Sequence, residues 1–157
     1  MMNIYCKSAL HQIKFAVTTI VEMIEKLEEH DLQKRPTPSK HSIGELLEHI
    51  AIICEADSLF SGGATQDEMN KFYSSISYKK PNEMKDALQK NYQSLEEKYL
   101  NYTEVELQEK ITSYWGVTYS RYDWLLEIVA HLYHHRGQLH SMLVHCYGID
   151  QRVPLFE

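Results

Sequence analysis

His131 and His135 sit four residues apart in a run, from Tyr122 to about Tyr147, that reads as helix. At that spacing both imidazoles project from one helix face and can point at a single ion. Trp124, Ile128, His131, His135, Gln138 and Met142 recur at alternating steps of four and three, the pattern of a core-facing seam in a bundle. A second seam runs beside it through Leu125, Val129, Leu132, Arg136, Leu139 and Leu143. Two histidines thus occupy places where packing alone favours Leu or Met, and a buried imidazole needs a hydrogen-bond partner or a metal. His49, in an earlier helical run, borders the apolar stripe made by Leu46 and Ile53. If the two helices pack side by side, three imidazoles converge. Three nitrogens with an open fourth place are the donor set of a reactive zinc or nickel site rather than a closed structural one.

The other histidines fit that geometry less well. His134 falls about a quarter turn beyond His135, away from the core, and reads as a rim residue. His11, His30, His41, His140 and His145 lie at ends or off the seam and read as surface. Asp57, two turns after His49 and near its face, is a candidate to support a ligand or handle a proton. A solvated helix carboxylate is the plainer expectation for it.

Bulk properties narrow the function classes. The chain has 157 residues and a net charge of −6, enough length for one core-bearing domain over 1–157. There is no basic stripe, so binding to nucleic acid through phosphate neutralisation is not expected, nor is adhesion to anionic membrane. No apolar run approaches the ~20 residues of a spanning helix. The first fourteen residues lack a signal-peptide pattern, so a cytoplasmic location is expected. Cys6, Cys54 and Cys146 have no metal-knuckle or disulfide spacing and read as small buried hydrophobes.

Four long helices must position the histidines. The first is predicted over Ile4–His30, with a seam through Leu10, Ile13, Val17, Ile20, Ile24 and Leu27. Pro36 and Pro38 mark the connection that follows. Ser42 and Glu45 form a capping box that starts the second helix, which runs to Phe60 before Gly62-Gly63. Residues 62–81 read as a long connection carrying Phe72, Tyr73 and Tyr78. Pro81 starts the third helix, to Leu100, with a stripe of Met84, Leu88, Tyr92, Leu95 and Tyr99. Another connection follows, with one possible helical turn at Glu104–Glu109. Ser120 and Asp123 cap the fourth helix, Ser120–Tyr147, and the tail through Val153-Pro154-Leu155 docks on the bundle. No strand-period run stands out. The fold class is therefore all-α, a four-helix bundle with long connections between helices one and two and between two and three. The second long connection permits parallel neighbours.

Together, the stretch Ser42-Ile43-Gly44-Glu45-Leu46-Leu47-Glu48-His49-Ile50, the later His131-x-x-His134-His135-Arg136-Gly137-Gln138-Leu139, and the closing Tyr147-Gly148 and Val153-Pro154 resemble the DinB family of damage-inducible-like bacterial proteins. The resemblance covers nearly the whole chain. It implies a four-helix bundle holding a divalent metal, zinc or nickel, with the ligands mapping onto His49, His131 and His135. It also implies a homodimer. For activity it implies a metal-dependent enzyme acting on a small molecule, with S-transfer from a low-molecular-weight thiol ahead of hydrolysis, or a metal-binding or dimerisation bundle without turnover. The aromatic connections, with Phe72, Tyr73, Tyr114 and Trp115, are expected to wall the electrophile's side of such a site.

Overall fold

The computed structural model describes residues 3–157. Four long helices form the core: α1 Ile4–Glu25, α2 Ile43–Ser61, α4 Pro81–Asn101 and α6 Arg121–Ser141. Shorter pieces fill the connections: α3 Gln66–Ser75, α5 Glu104–Gln108, and an antiparallel hairpin of β1 Lys110–Thr112 with β2 Thr118–Ser120. The expected starts are realised by side chains. Ser42 and Glu45 each cap the other's backbone N–H at α2, Ser120 and Asp123 do so at α6, and Pro81 opens α4. Every member of the α1 seam is buried, and so is every member of the α4 stripe. Burial of these apolar faces, rather than helix propensity, holds the bundle together.

Cross-helix contacts give the directions. Cys6 lies against Tyr99 and Glu25 pairs with Lys85, so α1 and α4 are antiparallel. Asn91 donates to the Ala51 carbonyl and Lys98 to Ser58, so α2 and α4 run parallel. His49 meets His135 while Asp57 meets His131, so α2 and α6 are antiparallel. Tyr133 reaches Gln12 and Arg136 reaches Thr19, so α1 and α6 are parallel. The long connection after α2 therefore does produce a parallel neighbour. No helix among the described residues is long and apolar enough to cross a membrane.

Several local expectations are corrected. Helix α1 stops at Glu25, not His30, because Glu28 and Asp31 cap each other and open a separate 3-10 turn over Glu29–Gln33. The connection over 62–81 contains α3, capped by Thr65 and Glu68. The hairpin at 110–120 is strand where none was expected. The last helix leaves α geometry at Ser141 and continues as a π turn, Met142–Cys146. That wider turn re-aims the chain, so Cys146 is exposed instead of buried, while Cys6 and Cys54 are buried as expected.

Past Ile128 the two seams of α6 also exchange rank, while Trp124 and Ile128 of the first seam are buried as expected. Leu125, Leu132, Arg136, Leu139 and Leu143 are fully buried, whereas His131 and His135 are half-buried at the bundle edge. Arg136 is the one cation in that inner row. It donates to Thr19 Oγ1 and to the Leu155 carbonyl, and it lies over the rings of Tyr133, Phe15 and Phe156. Hydrogen bonds and aromatic faces thus take the place of a carboxylate partner. The Leu155 contact, with Gln151 donating to the Met23 carbonyl, docks the tail on the bundle as expected.

Candidate metal centre

Helices α2 and α6 bring three histidines together across the sequence. His49 Nε2 stands 3.2 Å from His131 Nε2 and 3.1 Å from His135 Nε2. All three ligand atoms lie within 4.8 Å of one another, a cluster that can hold a metal ion. Three nitrogens bound to one tetrahedral ion at ~2.0–2.1 Å would stand ~3.3 Å apart, so the spacing fits.

The chemistry of the donor set agrees. His131 Nδ1 lies 2.9 Å from Asp57 Oδ2, and a carboxylate can only accept, so Nδ1 carries the proton. His135 Nδ1 lies 2.9 Å from Gln138 Oε1, which likewise accepts. In its neutral form each of these rings then presents a bare Nε2 lone pair to the centre. Only the His49 ring can place a proton between them, and a single N–H serves two acceptors poorly. A cation satisfies all three lone pairs at once.

Burial and mutual repulsion tune the rings apart. Burial, joined by the neighbouring rings of His135, His131 and His41, pushes the His49 imidazole down to about 4. Burial also lowers His135; the Gln138 hydrogen bond works against this, while the His131, His134 and His41 rings add to it. At His131 burial acts downward too, but the hydrogen bond to Asp57 and the Asp57 charge outweigh it, and the value is raised. Two of the three rings are therefore kept neutral and ready to coordinate at neutral pH.

Asp57 departs from the expected solvated carboxylate: it is only 4 % exposed and faces His131. Eight residues are a little over two turns, so Asp57 lies near the His49 face of α2, and the interface with α6 closes over both. Gln138, a member of the outer α6 seam, holds the His135 ring because it lies three residues after it. His134 is exposed, with its ring 4.7 Å from that of His135, and stands outside the cluster. His41, read as surface, is exposed but has its ring 6.4 Å from His49. It lies before the α2 cap, where no helical periodicity could place it. Among the expected aromatics, Tyr114 and Trp115 pack on Phe60 of α2, and Phe72 packs on Tyr73 of α3.

Residues 12–139 match the DinB superfamily, a span that contains all three histidines. The chain belongs to that superfamily. A crystal structure assigned to the DinB family, from Exiguobacterium sibiricum, is 34% identical, with 99% of this chain and 100% of that one covered and a TM-score of 0.84. DinB-like proteins from Bacillus cereus and Bacillus subtilis superpose with TM-scores of 0.74 and 0.71 at 18% and 16% identity, each over 94% of this chain and 95% of theirs. At those identities the likeness speaks to the DinB fold alone. No curated protein matches the chain.

Proposed function

We propose that this DinB-superfamily protein binds a divalent metal ion, zinc or nickel, through His49, His131 and His135, and uses it as an enzyme that transfers a low-molecular-weight thiol to a small electrophile. The observation that carries the reading is the convergence of three Nε2 atoms, two of them on rings whose Nδ1–H is held by Asp57 and Gln138. The cluster offers three protein ligands and no fourth among the described residues, which leaves a coordination place for a substrate atom. When bound, the ion supplies Lewis-acid activation of a thiol or of water near neutral pH. The protein's own part is positional. Asp57 and Gln138 lock the ring orientations, and the bundle edge keeps the cluster half-buried yet reachable. The reading treats residues 1–157 as one domain, pairing with a second copy and acting in the cytoplasm.

The test combines metal content with turnover. Protein purified without an affinity tag should carry zinc or nickel at about one ion per chain by elemental analysis. Loss of any first ligand should cost far more than the roughly 10–100-fold typical of a supporting residue. His49→Ala and His135→Ala should therefore empty the site alike, and His134→Ala should leave it filled. Coupling of a small thiol to a chromogenic electrophile should require the ion and fail in His131→Ala. Metal without thiol coupling but with ester or amide cleavage would favour a hydrolase. Metal with neither would favour a binding protein.

A further inference from the structure

Beyond the histidines, α2 and α6 also carry part of a cluster of aromatic side chains drawn from four separate elements. Phe60 lies three residues past Asp57 on α2, and Trp124 lies seven before His131 on α6. The hairpin turn lays Trp115 edge-to-face on Phe60 at 4.8 Å and on Trp124 at 6.0 Å, with Tyr114 packed on Trp115 at 4.9 Å. Tyr73 of α3 packs on Phe72 at 5.4 Å, and burial, then the Asp57 charge and Tyr114, raise its phenol. Large aromatic side chains are normally drawn into a core, yet Tyr73, Tyr114 and Trp115 are 42%, 47% and 48% exposed. The cluster also has a donor to spare, since the Trp124 indole N–H is buried without an acceptor.

We propose that this cluster is the second half of a bipartite ligand site, binding a planar aromatic ring whose other end carries the atom that reaches the metal. The inference rests on the three-histidine reading for the head of the ligand and adds the class of its tail. Seven residues of α6 between Trp124 and His131 are two turns, about 10 Å, so the ligand is an elongated small molecule rather than a compact one. Edge-to-face and offset-stacked contacts favour an aromatic ring over an alkyl chain of equal reach by up to about tenfold beyond what burial alone gives. The three exposed rings come from α3 and the hairpin, so the tail contacts belong to the connections and the head contacts to the bundle.

Zinc-loaded protein titrated with 4-phenylbutanohydroxamate and with octanohydroxamate, an alkyl compound of similar reach, separates the two halves, because both compounds share one metal-binding head. The aryl compound should bind about tenfold more tightly. Trp115→Ala and Tyr73→Ala should each bring the two affinities close together, with far-UV circular dichroism reporting that the variants are folded. Trp115→Phe should retain most of the preference. Zinc uptake is measured on the same samples. Zinc-bearing protein with no aryl preference, or with a preference that survives both alanine variants, overturns the aromatic subsite and leaves the metal reading standing. Protein that takes up no zinc overturns both.

Discussion

Asp57 and His131, 74 residues apart in sequence, share a hydrogen bond of 2.9 Å across the α2–α6 interface. The carboxylate is buried and on the far side of the ring from the cluster, so it acts on the ion only through the imidazole. Asp57→Ala should weaken zinc affinity by roughly 10–100-fold. Asp57→Asn keeps an acceptor for Nδ1 and should lose less. Competition with a chromogenic chelator measures both, and equal affinity in wild type and Asp57→Ala would remove Asp57 from the site.

The histidines make the metal-free protein sensitive to acid in a defined window. His49 is held down to about 4, whereas an unfolded imidazole titrates near ~6.5. Between those values the unfolded chain binds the additional proton, so acidification through the window favours unfolding. His131 acts oppositely: its value is raised, so its contribution is full below the ordinary histidine value and fades as pH climbs through the raised one. Urea midpoints of chelator-treated protein should fall as pH is lowered from about 6.5 toward about 4. His49→Phe should flatten that fall, and an unchanged slope would contradict the assignment.

Two glycines of the histidine-bearing helices have opposite roles. A Cβ on Gly44 would stand 3.0 Å from both the Cβ and the carbonyl oxygen of Leu32, where α2 packs on the 3-10 turn. Gly44→Ala should therefore force the two apart and cost about 1–3 kcal/mol. A Cβ on Gly137 meets nothing within 4 Å, and this residue lies inside α6. Gly137→Ala should stabilise the protein by about 0.5–1 kcal/mol through helix propensity. Chemical denaturation of both variants checks the pair.

Arg136 is 3 % exposed and its hydrogen-bond partners are a hydroxyl and a carbonyl. Truncation leaves Thr19 and Leu155 unmatched and opens a void between α1, α6 and the tail. Arg136→Ala should cost about 2–4 kcal/mol and leave zinc stoichiometry near one per chain at low temperature. Denaturation paired with elemental analysis tests this, and loss of zinc from folded variant protein would tie Arg136 to the site itself.

The long elements and the three clustered histidines were legible because each is written in local chemistry. Ser42 with Glu45 and Ser120 with Asp123 mark helix starts, and steps of three and four mark the faces that α1 and α4 bury. What escaped notice has physical causes. Strands of three residues, as in β1 and β2, are too short to display an alternating pattern. The Thr65–Glu68 cap of α3 was readable, but a helix of ten residues with one buried side chain carries almost no apolar stripe. Which α6 seam faces inward depends on how far the helix rotates against α1, and the buried Arg136 looks polar to any hydropathy rule. Asp57 appeared to be a surface carboxylate until α6 covered it.

His49 and its partners are 82 and 86 residues apart, and α6 is the last long helix in the chain. During synthesis, at roughly 5–20 residues per second, α2 leaves the ribosome seconds before the strand of chain that completes its cluster. Throughout that interval His49 is a lone imidazole and Asp57 an uncovered acid, neither able to retain a cation against the cell's chelators. Any ion the full cluster holds can therefore be captured only after α6 has been made and has docked on α2.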